Sequence, residues 1–246
     1  MYQKERLDTI MDILKKNNYV SVKYLTEELH YSNATVNRDL NVLQKQKKIK
    51  RSYGGVELVE SKGTPLVFRY HKMRAEKNKI AKKAAEFVCD GDTIFIDAST
   101  TAQYMAQYIL MRKNLTVITN NMALVSYLSE YNINTICLGG KVVEVPSMLM
   151  GDETVENASK YAADKMFFAT GGISSDGKLY GGTYDFLHKT MANNSDKVIF
   201  LTDSGKINRK TNKILFDLEK VTHIISDYEF DQEVKHKYKN VEYIKV

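Results

Sequence analysis

Apolar residues recur at helical spacing three times within the first 45 positions. Leu7, Ile10, Met11 and Leu14 outline a first helix, which Asn17-Asn18 interrupts. Val22, Leu25 and Leu29 outline a short second helix with Ser21 placed as its N-cap. After the tight connection His30-Tyr31, Ser32 is the natural cap of a third helix, in which Val36, Leu40 and Leu43 share one buried stripe. So brief a link between the second and third helices describes a helix-turn-helix unit. The period then changes to two. Ile49, Arg51 and Tyr53 alternate into Gly54-Gly55, and Val56 and Leu58 alternate out, which predicts a hairpin whose turn needs glycine. A hairpin directly after such a unit is a wing.

A polar stretch without periodicity follows, Glu60-Ser61-Lys62-Gly63-Thr64-Pro65, which reads as a linker. From about Met73 helix and strand patterns alternate. Ile80, Ala84, Phe87 and Val88 outline a helix. Short apolar runs at Thr93–Asp97, Thr116–Thr119, Thr135–Leu138, Met166–Ala169, Val198–Leu201 and His223–Ser226 read as strands, with helical periodicity at Ala123–Tyr131 and Phe186–Met191. Continuously apolar strands separated by helices indicate a mainly parallel sheet covered on both faces. The predicted fold is therefore α/β overall. A small α+β winged helix-turn-helix occupies 1–58, a linker 59–73, and a larger α/β domain 74–246.

Composition adjusts this picture in a few places. With 246 residues the chain has room for both cores. The net charge is +6, and residues 1–60 carry eleven Lys and Arg against eight Asp and Glu, so half the excess lies in a quarter of the chain and favours an N-terminal nucleic-acid partner. Cys89 and Cys137 sit in apolar settings without metal-like spacing, which predicts buried, reduced thiols. The five histidines are scattered without ligand spacing, so neither metal nor cofactor is expected. No apolar run has membrane-spanning length and Tyr2-Gln3-Lys4-Glu5-Arg6 has no apolar signal core, so no membrane partner is expected and a cytoplasmic location is. Tyr228, Tyr238 and Tyr243 near the end read as packing and surface.

Two sets of polar residues carry the candidate chemistry. On the outer face of the third helix, Asn33, Thr35, Asn37 and Arg38, behind the cap Ser32, suit base edges in a major groove. Lys48, Lys50, Arg51 and Tyr53 would run along the phosphate backbone. An ordinary amphipathic helix with a solvated face is the competing explanation for the first group, and the wing beside it decides against that. In the larger domain ligands belong beyond the carboxyl ends of the strands. Those ends read Asp97-Ala98-Ser99-Thr100-Thr101, Asn120-Asn121, Gly139-Gly140-Lys141, Gly171-Gly172 and Asp203-Ser204-Gly205-Lys206. Each is a plausible turn or helix cap alone. Together they suggest a site for a polyhydroxy anion, with Lys141 or Lys206 neutralising a phosphate and Asp97, Asp203 and Asn120 bonding sugar hydroxyls.

Tyr31 to Leu40, then Leu43 and Arg51-Ser52-Tyr53-Gly54-Gly55, resemble the N-terminal domain of the DeoR family of bacterial transcription regulators. That family usually has arginine in place of Asn37 and histidine in place of Tyr53. Asp97 to Thr101, Thr119-Asn120, Leu138-Gly139-Gly140, Gly172 and Asp203 to Lys206 follow the order of its C-terminal sensor domain, which usually has glycine at Ser99 and serine at Gly205. The resemblance implies a domain similar to ribose-phosphate isomerases that binds a phosphorylated sugar through Asp97, Ser99, Thr100, Thr101, Asn120, Gly139, Gly140, Gly172, Asp203 and Lys206, to which the strand-end reading adds Lys141. It implies a repressor of a carbohydrate operon, a double-stranded DNA operator as partner, and a homo-oligomer. A working isomerase is the rival reading, but such an enzyme needs a carboxylate base, and the loop Ala169–Ser175 offers none before Asp176, which reads as a turn residue. A larger domain that only oligomerises is the third reading.

Overall fold

The computed structural model describes residues 2–17, 19–46, 48–52, 55–58, 69–70, 72–144, 148–181, 186–211 and 213–246. The chain divides into two units, Met1–Lys72 and Met73–Val246. The first ten residues of the expected linker, 59–68, lie outside the described residues, as do Tyr53 and Gly54.

The first unit runs α1 (Gln3–Asn17), β1 (Tyr19–Ser21), α2 (Val22–Leu29), α3 (Asn33–Lys45), β2 (Ile49–Ser52) and β3 (Gly55–Leu58). The caps are those the sequence proposes. Ser21 Oγ accepts the Tyr24 amide at 3.0 Å and Ser32 Oγ the Thr35 amide at 3.3 Å, each satisfying an amide that the helix start leaves open. Ile10, Leu14, Leu25, Val36, Leu40, Leu43, Ile49 and Val56 close one core. The wing is a three-stranded sheet in the order β1-β3-β2, because Tyr19–Ser21 pairs antiparallel with β3. Three residues are too few to show alternation, so β1 is not visible in the sequence. Its Tyr19 ring also lies over Gly55, where a Cβ would sit 1.5 Å from the phenol oxygen.

The second unit begins with α4 (Arg74–Ala85), β4 (Thr93–Ile96), α5 (Thr100–Gln103), α6 (Ala106–Ile109), β5 (Thr116–Thr119), α7 (Met122–Glu130) and β6 (Asn134–Cys137). It continues with β7 (Lys141–Glu144), β8 (Met148–Met150), α8 (Asp152–Ser159), β9 (Ala163–Phe168), β10 (Gly172–Ile173), β11 (Lys178–Gly181) and α9 (Phe186–Asn193). Last come β12 (Ser195–Thr202), β13 (Lys213–Asp217), β14 (His223–Ser226), α10 (Gln232–Lys237) and β15 (Glu242–Lys245). Seven strands form one sheet, β15-β14-β12-β9-β4-β5-β6, with every neighbouring pair parallel. Six of them are the predicted apolar runs. The seventh is the tyrosine-bearing tail, where Tyr243 pairs with Ile224 and Tyr238 is buried. Phe95, Ile118, Met166, Phe168, Phe200 and Ile224 fill the core between sheet and helices. Two antiparallel additions, β10-β11-β13 and the hairpin β7-β8, have no strand-like alternation in the sequence.

The cysteines correct an expectation: both are exposed. Cys89 follows α4 in the turn whose amide is held by Asp92, and Cys137 lies on the outermost strand β6, so apolar neighbours in sequence do not bury either thiol.

Candidate nucleic-acid interface and effector site

The outer face of α3 is polar and reachable, with Asn33 and Arg38 exposed and Thr35 and Asn37 partly so. Asp39, one turn on from Thr35, is buried and accepts from Arg6 Nε at 2.7 Å and Gln3 Nε2 at 3.1 Å, tying α3 to α1. That bond raises the Arg6 guanidinium above its ordinary pKa. Ser32 Oγ and Thr35 Oγ1 lie 3.0 Å apart, and Arg38 Nε reaches the Ala34 carbonyl at 3.4 Å. In the wing, Lys48 is exposed, and Lys50 Nζ lies 3.0 Å from the buried Glu57. Arg51 turns back onto α3, donating to Asn41 Oδ1 at 2.8 Å and to Asn37 Oδ1. Tyr53 lies outside the described residues.

In the second unit the carboxyl ends of β4, β9, β5 and β12 gather most of the predicted effector residues. Asp97, one residue past β4, is buried and takes three bonds: the Ser99 amide on Oδ1 at 3.1 Å, and the Ala169 amide at 3.3 Å and His188 Nε2 at 3.1 Å on Oδ2. Its carboxylate therefore holds the turn and the imidazole before any ligand is considered. Ser99 caps α5 by accepting the Ala102 amide at 3.2 Å. Thr100 Oγ1 accepts from the buried Lys77 Nζ at 3.0 Å. Beyond β5, Thr119 Oγ1 donates to the Ile96 carbonyl at 2.6 Å, joining two strand ends, and Asn120 Nδ2 donates to the Leu149 carbonyl at 2.9 Å. Beyond β12, Lys206 Nζ lies 3.8 Å from Asp203 Oδ2.

Among the described residues, Thr101 Oγ1, Asn120 Oδ1, Thr202 Oγ1, Asp203 Oδ2 and His188 Nδ1 are sealed from solvent and have no hydrogen-bond partner in the protein. All five belong to these strand ends or to the imidazole bound to Asp97. Buried polar atoms are normally paired, so five orphans in one region call for a ligand or water to pair them. Asn120 Oδ1 and Asp203 Oδ2 are acceptors, His188 Nδ1 accepts in the neutral imidazole and donates in the protonated one, and the two hydroxyls can accept as well. A ligand presenting several hydroxyl donors fits that set.

The glycines are defined by close packing and Lys141 by its exposure. A Cβ on Gly140 would lie 2.1 Å from Thr154 Oγ1, and Gly139 O accepts from the same hydroxyl at 2.8 Å, so this pair packs against α8. A Cβ on Gly172 would lie 2.0 Å from the Arg209 carbonyl. Lys141 is exposed on β7. Lys77, His188 and Thr202 were not singled out from the sequence. Lys77 shares a stripe with Ile80, Ala81 and Ala84, and a lysine on an apolar stripe is the signal that could have found it. His188 likewise stands beside the buried Leu187 and Met191.

A helix-turn-helix head followed by an α/β unit with polar strand ends defines a DNA-binding protein with a separate sensing unit. Residues 6–62 match the DeoR-like helix-turn-helix domain and residues 72–228 the DeoR C-terminal sensor domain. The chain belongs to the DeoR family of transcription regulators. It is 34% identical to the HTH-type transcriptional repressor GlcR of Bacillus subtilis (strain 168), over 92% of this chain and 89% of that one. It is 31% identical to the glycerol-3-phosphate regulon repressor of Escherichia coli (strain K12), over 92% of each chain, and 30% identical to the L-fucose operon activator of the same organism, over 90% of this chain and 94% of that one. Among solved structures, ribose 5-phosphate isomerase from Plasmodium falciparum aligns with a TM-score of 0.42 at 18% identity, over 55% of this chain and 53% of that one. No helix among the described residues is long and apolar enough to cross a membrane.

Proposed function

We propose that this regulator represses a carbohydrate operon and releases its operator when a phosphorylated sugar binds at the carboxyl ends of β4, β5, β9 and β12. The observation that carries the reading is the group of five buried polar atoms there that make no hydrogen bond within the protein. Sugar hydroxyls would pair Asn120, Asp203, His188, Thr101 and Thr202. The phosphate would meet the start of α5 at Ser99, Thr100 and Thr101, with Lys206 and Lys77 supplying charge. Asn33, Thr35, Asn37 and Arg38 read the operator. A homo-oligomer binds repeated half-sites, because one head reads too few base pairs for genomic selectivity.

The signal has a short route out of the site. Met73 is the N-cap of α4, the first of the described helices of the second unit, and Lys77 lies on its first turn. Lys77 holds Thr100, and a methyl on Gly205 would lie 3.8 Å from Met73 Cγ, so Met73 borders the Asp203–Lys206 loop. An effector that repositions either loop moves the point where the chain leaves toward the DNA-binding head. Its leverage equals its preference for one arrangement over the other.

Thermal unfolding against a panel of phosphosugars, their parent sugars and inorganic phosphate tests the reading. A ligand at a hundredfold excess over its Kd adds about 2.7 kcal/mol of apparent stability. A shift with one phosphosugar and not its parent supports the site, and no shift across the panel defeats it. The isomerase reading draws on the Asp97–His188 pair, a carboxylate-backed imidazole that could move a proton. Conversion of a bound phosphosugar to its isomer would establish that reading instead.

A further inference from the structure

Asn33, Asn37 and Asn41 follow one another at i, i+4 and i+8 on α3 and so form a single row. Asn37 Nδ2 donates to the Asn33 carbonyl at 2.8 Å and to Asn33 Oδ1. Arg51 enters this row from the neighbouring strand β2, with Nη1 on Asn41 Oδ1 at 2.8 Å and Nη2 on Asn37 Oδ1. Both prongs of the guanidinium thus rest on neutral amide oxygens of the reading helix. The buried carboxylates of this unit, Asp39 and Glu57, are engaged elsewhere among the described residues, Asp39 by Arg6 and Gln3, and Glu57 by Lys50. The Arg51 charge is therefore laid along the outer face of α3 and not extended from the hairpin toward a phosphate.

We propose that Arg51 reads a base in the major groove together with Asn37, and is not a phosphate contact of the wing. The chemistry of the pair selects the target. A guanidinium fork matches guanine O6 and N7, and an asparagine amide matches adenine N6 and N7. Duplex DNA with a guanine beside an adenine, opposite the middle of α3, meets both. On binding, the base edges replace the contacts that Arg51 and Asn37 now make with each other. Asn41, one turn further along, is the positioning residue that keeps the fork on the helix. The inference rests on α3 being the reading helix.

The test begins with selection of duplexes from a random pool by the full-length protein. Affinity for the enriched duplex and for a shuffled one is then measured across salt concentrations for wild type, Arg51→Lys, Arg51→Ala and Asn41→Ala, with circular dichroism to check folding. Lysine keeps the charge but not the fork. Arg51→Lys is expected to bind the shuffled duplex as wild type does, with the same salt dependence. It should lose roughly 10- to 100-fold on the enriched duplex, the scale of one bidentate base contact. Asn41→Ala should lose selectivity without a change in salt slope. If Arg51→Lys keeps full selectivity, and Arg51→Ala weakens both duplexes alike with a salt slope smaller by about one, Arg51 sits on a phosphate and the proposal fails. A wild-type pool with no enriched sequence removes the reading helix itself, a result distinct from the first.

Discussion

Thr202 carries a hydroxyl that is sealed from water and unpaired within the protein. Leaving such a group unpaired costs on the order of 1–3 kcal/mol, and an apolar replacement of the same shape removes that penalty without losing a bond. Thr202→Val is therefore expected to leave the unliganded protein as stable as before or about 1 kcal/mol more stable. It should also shrink the stabilisation given by a phosphosugar. Melting curves with and without ligand check both halves, and a less stable free protein would mean the hydroxyl has a partner after all. Gly140 makes the opposite case. Its φ of +108° and the 2.9 Å approach of a Cβ to the Met150 carbonyl leave no room for a side chain. Gly140→Ala should destabilise the sensor unit by about 1–3 kcal/mol, read from the shift of its denaturant midpoint. An unshifted midpoint would show that the loop yields at little cost.

At the scale of elements, a histidine joins β14 to β15 and to the segment after α4. His223 on β14 packs edge-on against Phe87 at 5.2 Å, bonds Thr222 Oγ1 through Nδ1 at 2.8 Å, and lies 3.3 Å from Glu242 on β15. Burial pushes its pKa below the ordinary value, opposed by Glu242 and assisted by Lys197. The unfolded chain then binds the proton more readily than the folded one. Stability contributed by neutral His223 is present above the unfolded value of 6.5 and is lost as pH falls below it toward the folded value. Urea unfolding of wild type and His223→Gln should give a difference that grows in favour of wild type from about pH 5 to pH 7. A difference that does not change with pH would show that the imidazole titrates alike in both states.

At the scale of the whole molecule, the question is how occupancy of strand ends reaches a DNA-binding head. In the proposed reading Lys77 carries it, since it stands on the first helix of the sensor unit and holds Thr100 at the start of α5. Lys77→Met keeps the length of the side chain and removes the bond. The variant should bind the selected operator about as tightly as wild type when no effector is present. The drop in operator affinity that effector produces, commonly 5- to 150-fold for an allosteric pair, should shrink toward none. Anisotropy titrations with and without the active phosphosugar measure that ratio. A ratio equal to wild type would place the coupling on another path.

The sequence by itself determined what depends on neighbours along the chain. Helix periods, the caps Ser21 and Ser32, the wing hairpin and six apolar strands are local patterns, and local patterns survive as a string of residues. The row of polar strand ends was legible for a similar reason, because in a parallel sheet every carboxyl end falls on the same edge. Tertiary structure decided what depends on distance. Only the fold brings Lys77 to Thr100 across 23 positions, His188 to Asp97 across 91, and Arg51 onto Asn37 and Asn41. Only the fold gives Gly139 and Gly140 to α8, and turns the tyrosine tail into a seventh strand. Burial and pairing are properties of the assembled chain, so which polar atoms are left without partners could not be read before the strands were laid side by side.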